Sequence, residues 1–221
     1  MNWKNINIVL TILLIGVGFY FFGFKKTEVG VPATFNPLNA TYIIDGKPVT
    51  LLNGKAEVSA APGSATKVQT MIFGEPIKGD LNNDGKPDAA VILVQNLGGS
   101  GTFYYAAVAV NAGNAAVGTN AILMGDRVAP QTEEIRNGQL IVNYAVRNSG
   151  EPMTTQPSQG VSKYLNVVNG VLLEGGPIAG IGERCGGNMR TAPTCIAGAH
   201  CAPDPKSHLP FGDVGGICAA N

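Results

Sequence analysis

The chain has 221 residues, of which 14% are charged, and its 15 Lys and Arg residues balance its 15 Asp and Glu residues. A surface that binds nucleic acid needs a clustered excess of basic residues, so this balance argues against nucleic acid as a partner. The 30 glycines and 14 prolines are spread between apolar runs, a pattern typical of short strands joined by tight turns.

An apolar segment without any charge lies near the N-terminus, at residues 5–24. About 20 residues of helix span the ~30 Å hydrocarbon core of a bilayer, so this segment predicts a transmembrane helix. A cleavable signal peptide is the alternative, but its apolar region is shorter, about 7 to 15 residues, and a small-x-small cleavage site follows it. Lys25 and Lys26 follow here instead, which favours an uncleaved signal anchor over residues 1–26.

Residues 40–174 are predicted to form an all-β domain, joined to the anchor by a Pro-containing linker at residues 27–39. Short stretches rich in Val, Ile, Tyr and Thr alternate with Gly, Asn or Asp along this part of the chain. Such alternation indicates strands connected by turns. The expected fold is an antiparallel sandwich or barrel built of hairpins, and both arrangements are compatible with the sequence.

Four dipeptides predict tight hairpin turns: Asp45-Gly46, Asn53-Gly54, Asn137-Gly138 and Asn169-Gly170. Asn or Asp before Gly tolerates the positive φ that type I′ turns require, so each dipeptide should join two antiparallel strands. Residues 89–94 are apolar at nearly every position. This run predicts a strand that is covered on both faces.

An acidic loop precedes that apolar strand, and its oxygen-bearing side chains recur at alternate positions. Hard oxygen ligands at such spacing on a tightly wound loop are typical of Ca²⁺ sites, and Gly85 permits the sharp bend. The predicted ligands are Asp80, Asn82, Asp84, the main-chain carbonyl of Lys86, and Asp88. The alternative is a metal-free turn, because Asn, Asp and Gly also favour turns.

The loop lacks the final Glu of an EF-hand, since Val91 stands at that position, so a helix-loop-helix calcium sensor is not expected. The stretch GDLNNDGKPDAAVIL resembles the calcium loop and following strand of FG-GAP repeats in integrin-like β-propellers. The resemblance implies the same five ligands. Propellers repeat the motif, whereas it occurs once here, so the resemblance covers the loop and not a propeller.

Four longer stretches resemble a group of uncharacterised exported bacterial domains, and together they cover roughly residues 35–168. They read FNPLNATYIIDGKPVTL, GDLNNDGKPDAAVILVQNLGGSGTFYYAAVAV, MGDRVAPQTEEI and IVNYAVRNSGEPMTTQPS. The resemblance implies export and no particular activity.

All the cysteines lie within residues 175–221, a short module rich in Gly and Pro that cannot build a core of its own. Such a segment needs covalent cross-links, and disulfides persist only in oxidising compartments. The four cysteines are Cys185, Cys195, Cys201 and Cys218. They are therefore predicted to form disulfides, which places the body of the protein outside the cytoplasm. The alternative is a zinc site that adds His200 and His208, although the usual Cys-x-x-Cys pair is missing.

The cysteine frame of this module resembles that of small fungal-type cellulose-binding modules. The resemblance implies pairing of the first cysteine with the third and of the second with the fourth, that is Cys185 with Cys201 and Cys195 with Cys218. Those modules stack sugars on a row of exposed aromatic side chains, which the tail lacks. The resemblance therefore does not extend to sugar binding.

Two functions of different kinds follow. The first is a non-enzymatic, membrane-anchored extracytoplasmic protein whose calcium-stabilised β domain has a structural or adhesive role, with a protein or carbohydrate as its surface partner. The alternative is an envelope carbohydrate-binding protein or a glycosidase-like enzyme that uses paired carboxylates such as Glu133, Glu134 and Glu151. A Ser-His-Asp triad within the β domain is excluded, because both histidines lie in the Cys-rich module.

Overall fold

A computed structural model describes residues 34–113, 115–189, 191–208 and 214–221 of the chain. The predicted anchor and most of the predicted linker lie outside the described residues. The described part contains seventeen strands and one short 3-10 helix, Pro37–Asn39. The prediction of an all-β fold is therefore confirmed for the described residues.

After the 3-10 helix, the described part of the chain forms a separate hairpin and continues into a six-stranded sheet, called sheet I here. Strands β1 (Thr41–Ile44) and β2 (Lys47–Thr50) form the hairpin. Sheet I consists of β3 (Lys55–Ser59), β4 (Lys67–Gly79), β5 (Asp88–Asn96), β6 (Phe103–Asn111), β7 (Ala116–Gly118) and β8 (Ile122–Asp126). Its strand order is β3-β4-β5-β6-β7, and β8 also pairs with β6, beyond β7 along that strand.

The next four strands form an antiparallel meander, called sheet II here. They are β9 (Ala129–Arg136), β10 (Gln139–Val146), β11 (Gln159–Val168) and β12 (Val171–Gly175). Their order in the sheet is β12-β11-β10-β9, so each strand pairs with its neighbour in sequence. Sequential antiparallel strands can be joined by a tight turn, and two of the three connections are two-residue turns, whereas 12 residues separate β10 from β11.

The four predicted hairpin turns are confirmed, and their backbone angles show why these residues are used. Both residues of each dipeptide have positive φ: 48° to 54° at Asp45, Asn53, Asn137 and Asn169, and 71° to 79° at the glycines that follow. Left-handed φ at both central positions defines a type I′ turn, whose twist matches that of the flanking strands. Three of the turns connect strands paired directly across a two-residue loop, between Ile44 and Lys47, Arg136 and Gln139, and Val168 and Val171.

The two large sheets face each other across the main hydrophobic core. Sheet I contributes Ala90, Ile92, Ala106 and Val108, and sheet II contributes Leu140, Val142, Tyr144, Leu165, Val167 and Leu172. Two antiparallel sheets packed in this way form a sandwich, in which alternate residues of each strand enter the core.

The opposite face of sheet I is also buried, because the N-terminal hairpin covers it. Tyr42, Ile44 and Leu51 pack there against Ala89, Val91 and Leu93 of β5. Strand β5 is thus covered on both faces, as its apolar run predicts. The start of β5, where the acidic loop ends, is consequently fixed by packing on both faces.

Asn120 connects the two sheets at the edge where β12 lies. Its side-chain Nδ2 donates to the carbonyl of Leu172 at 2.9 Å, and its Oδ1 accepts from the amide of the same residue at 2.8 Å. The amide side chain therefore satisfies two main-chain groups of an edge strand that has no further strand beside it.

The described residues of the Cys-rich tail, residues 175–221, form five short strands: β13 (Ile178–Ala179), β14 (Arg184–Cys185), β15 (Thr194–Cys195), β16 (Ala199–Pro203) and β17 (Gly216–Ala220). Disulfides join Cys185 to Cys201 and Cys195 to Cys218, the pairing that the cysteine frame implies. Buried Cys185 and Cys218 form the small core of the tail together with Ala179. All four sulfur atoms are used in these bonds, which leaves no thiolate for the alternative zinc site.

The tail contacts sheet II at the turn between β9 and β10. Buried Gln139 accepts a hydrogen bond from the amide of Ile178 at 3.0 Å and donates one to the carbonyl of Gly176 at 2.9 Å. Asn137 donates to Glu183, whose other carboxylate oxygen lies 3.7 Å from Arg136. These contacts place the tail beside the acidic loop, whose Asn83 lies against Gly138.

Candidate metal centre

The acidic loop connects the last residue of β4, Gly79, to the first residue of β5, Asp88. Its two ends are therefore held as neighbours in the sheet, where Gly79 is paired with Asp88. Positive φ at Asn83 and Gly85, 61° and 80°, winds the segment between them into a compact turn. The five predicted ligand residues thus lie in one compact loop at the start of the central strand, β5.

Asp88 is fully buried, and its carboxylate holds the loop to the rest of the sheet. Its Oδ2 accepts a hydrogen bond from the amide of Leu81 at 3.0 Å, and its Oδ1 accepts one from the amide of Asn111 at 2.8 Å. The sequence pattern identifies Asp88 as a ligand but does not reveal this anchoring role. Each carboxylate oxygen has a second lone pair, so these bonds leave Asp88 able to contact a cation.

The remaining side-chain oxygens of the loop accept hydrogen bonds from its own main chain. Asp80 receives the amides of Asp84 and Gly85 at 3.2 and 2.9 Å. Asn82 receives the amide of Asp84 at 3.0 Å, and Asp84 receives that of Lys86 at 2.9 Å. Oxygens that alternate along a compact turn in this way suit a calcium loop, and the same hydrogen bonds are also those of a loop closed by Asx turns.

The loop carboxylates do not all converge as closely as bound ligands do. Within the part of the chain that the structure describes, the only three potential metal-binding side chains with ligand atoms all within 4.8 Å of one another are Cys185, Cys195 and Cys201, which are in disulfides. Calcium ligands lie 2.3–2.6 Å from the ion, so Asp80, Asp84 and Asp88 would need to draw together around it. The Nζ atom of Lys86 lies 3.8 Å from Oδ2 of Asp84. This ion pair is exposed, so it contributes little to stability.

The carboxylates considered for an enzyme are not brought together. Glu133 pairs across the sheet with core residue Val142, whereas Glu134 pairs with Ile141 and so points to the opposite face. Glu151 lies in the loop after β10, where its carboxylate accepts bonds from the main chain and side chain of Asn148. Those bonds hold the pKa of Glu151 below its ordinary value, whereas burial raises the pKa of Glu133 to about 7.

A cleft of about 750 Å³ adjoins the acidic loop, and the sequence does not indicate it. Four separate segments form its walls: Leu81 and Asn83 of the loop, Asn137 and Gly138 of a hairpin turn, Asn166 to Val168 of β11, and Ile178, Ile196 and Ala197 of the tail. Its volume falls in the range of small-molecule binding sites. Because its residues are far apart in sequence, only the packing of the tail on sheet II creates it.

Among the described residues, no helix is long and apolar enough to cross a bilayer, and the predicted anchor lies outside them. Comparisons of the chain with known protein families, with curated proteins and with solved structures found no match.

Proposed function

We propose that this is a membrane-anchored extracytoplasmic protein whose β domain is stabilised by one Ca²⁺ ion at the acidic loop, and that its role is structural or adhesive rather than enzymatic. The observation that carries the proposal is the loop itself. The side-chain oxygens of Asp80, Asn82 and Asp84 accept main-chain amides of one compact turn, and the last carboxylate of the loop, Asp88, is buried at the start of the central strand. An ion there would link the loop to the rigid core of sheet I.

Electrostatics supports a cation at this position. Three carboxylates on nine consecutive residues repel one another unless a positive charge compensates them. Lys86 provides only one exposed charge, at 3.8 Å from Asp84. A divalent ion neutralises most of the remaining charge and accepts the six to eight oxygen ligands that such a loop and its waters can supply.

The export part of the proposal rests on the two disulfides and on the apolar segment at residues 5–24. In its described residues the tail has almost no core besides its cystines, so it needs an oxidising compartment to remain folded. With an anchor inside the membrane and the body outside, the protein meets calcium concentrations near those that weak extracellular sites bind, on the order of 10⁻⁴ to 10⁻³ M.

The partner surface that we propose is the cleft beside the loop. Leu81 and Asn83 form one of its walls, so a calcium ion that orders the loop also orders that wall. The non-enzymatic assignment is supported by the carboxylates, since Glu133 and Glu134 point to opposite faces of sheet II. The glycosidase-like alternative needs two carboxyl groups that flank one bond of a sugar.

Thermal unfolding of the full-length chain in neutral detergent tests the calcium proposal. An ion that binds only the folded state stabilises it by RT ln(1 + [L]/Kd), about 2.7 kcal/mol at 100 times Kd, which corresponds to a rise in Tm of about 5–10 °C. The rise should be smaller with Mg²⁺, which demands a tighter octahedral site, and it should disappear in Asp84→Ala.

Two choices keep this experiment specific. Glu75→Ala removes an exposed carboxylate from the adjacent strand and should retain the full calcium effect. Asp88→Ala is unsuitable, because it also removes the bonds to Leu81 and Asn111 and destabilises the loop without calcium. Equal Tm values in calcium and in chelator for the wild-type chain would show that the loop is a turn only.

A further inference from the structure

Glu133 on β9 has an unusual environment for a carboxylate. It occupies a core-facing position opposite Val142, and its Oε2 is a buried polar atom without any hydrogen-bond partner. Buried polar atoms in native proteins are almost always satisfied, so an orphan oxygen points to a missing ligand, water or ion. Among the described residues, Oε2 of Glu133 is the only buried side-chain nitrogen or oxygen atom without a hydrogen-bond partner.

A cavity of about 200 Å³ lies at Glu133, on the side where β9 meets β4. Its apolar walls are the side chains of Phe73, Pro130 and Val142. The main chain is irregular on both sides of it, since the ladder shifts register between Phe73 and Ile77 on β4 and between Asn143 and Tyr144 on β10. Gly74 and Gln131 stand in these irregular segments and also line the cavity. Bulges leave main-chain groups outside the regular ladder, where they can meet a ligand.

Among the described residues, none places a positive charge next to this carboxyl group. Burial alone raises the pKa of Glu133 to about 7. Lys163 lies on β11 opposite Val142, and Val142 therefore stands between it and Glu133 on β9. Its ammonium group forms an ion pair with Glu174 at 2.5 Å. Glu75 is exposed in the bulge of β4, and Glu134 points to the opposite face of sheet II. The carboxylate form therefore lacks a counter-ion from any of the elements around it.

We propose that this cavity binds a primary ammonium group carried on a short aliphatic chain, with the carboxylate of Glu133 as its counter-ion. The methylene groups would lie against Phe73, Pro130 and Val142. The half-exposed ring of Phe73 offers a cation–π contact at the cavity wall. A guanidinium group fits less well, because its planar fork must meet both carboxylate oxygens in one plane, whereas a compact ammonium group can bind a single oxygen. The group can come from a free alkylamine or from a lysine side chain of a partner protein.

Isothermal titration of the full-length chain in neutral detergent with n-butylammonium chloride tests the proposal. An ammonium ion stabilises the charged carboxylate, so binding at pH 6 should release nearly one proton, measured as a heat that differs between two buffers of different ionisation enthalpy. With a pKa of about 7 in the free protein, the apparent affinity should be about tenfold weaker at pH 6 than at pH 8. Neutral n-butanol should bind far more weakly than the amine.

Three variants define the site. Glu133→Gln should abolish binding and proton release, whereas Glu134→Gln, the same change on the opposite face, should leave both unchanged. Phe73→Ala should weaken binding at both pH values. Thermal unfolding confirms that each variant is folded, and the proton release of the wild-type chain is decisive even if one variant is not.

A second arm distinguishes the two sources of the amine. A short peptide with a central lysine and its Nε-acetylated counterpart are titrated in the same way. Tighter binding of the lysine peptide than of n-butylammonium supports a protein partner, and tighter binding of n-butylammonium supports a free amine. The proposal is overturned if Glu133→Gln binds as well as the wild-type chain, if both peptides bind and do so with equal affinity, or if neither the amine nor the lysine peptide binds.

Discussion

Glu133→Gln replaces a buried carboxyl group by an amide of nearly the same shape, and we expect the full-length chain to gain stability at alkaline pH. The pKa of Glu133 is raised by burial from 4.5 to about 7 in the folded protein. The folded state therefore binds a proton more tightly than the unfolded state does. The stability that this group contributes is complete below about pH 4.5 and is lost as the pH rises through 7.

The magnitude follows from the size of the shift. A displacement from 4.5 to about 7 corresponds to about 3 kcal/mol at ~1.4 kcal/mol per pKa unit. Because Glu133 is partly exposed at the cavity, solvent screening reduces the effect, and we expect about 1–2 kcal/mol. For a domain of this size that is a difference in Tm of about 2–8 °C.

The assay is calorimetric unfolding of the wild-type chain and of the variant at pH 5, 6, 7 and 8. The difference in Tm between them should grow with pH and level off above about pH 7. Three other carboxyl groups have lowered pKa values, so the stability that they contribute is lost only as the pH falls: Asp126, Glu151 and Glu183. Both proteins contain these groups, so their contribution cancels in the difference in Tm. Glu134→Gln, the same change at an exposed neighbour on the opposite face, is the control. A constant difference across the pH range would refute the reasoning.

Two further predictions concern the contacts that hold the fold together. Cys201→Ser opens the bond to Cys185 and should cost the tail about 2–5 kcal/mol, so limited proteolysis should cut residues after 175 while the sandwich persists; an equally resistant tail would contradict this. Asn120→Ala leaves the amide and carbonyl of Leu172 without partners and should cost about 2–4 kcal/mol in chemical unfolding. The matched change Asn143→Ala removes exposed side-chain bonds only and should cost less than about 1 kcal/mol, and equal costs for the two variants would argue against a link between the sheets.

The elements of this fold follow from local sequence chemistry. Asn or Asp before Gly is compatible with two successive left-handed φ values, so Asn137-Gly138 and Asn169-Gly170 set both the turn type and the register of the strands on either side. The continuous apolar run at residues 89–94 likewise requires cover on both faces. These signals act over two to ten residues, which is why they can be recognised without a structure.

Part of the candidate metal centre is recognisable in the same way, and part is not. The alternating oxygens from Asp80 to Asp84 are a local pattern that predicts a calcium loop. The anchoring of Asp88 depends on the amide of Asn111, which is far along the chain. The carboxylates Glu133 and Glu134 appear as a pair in the sequence, yet a strand directs consecutive side chains to opposite faces.

The sequence by itself determined the all-β class, the hairpin turns, the presence of an acidic loop and the need for disulfides in a tail without a core. Only the tertiary structure decided that the sheets pack as a sandwich, that the tail lies against Gln139 to close a cleft beside the loop, and that Glu133 lacks a partner inside a cavity. The physical reason is the range of the interactions. Turn geometry and strand periodicity depend on neighbouring residues, whereas burial, pKa shifts and cavities depend on which distant surfaces exclude water from one another.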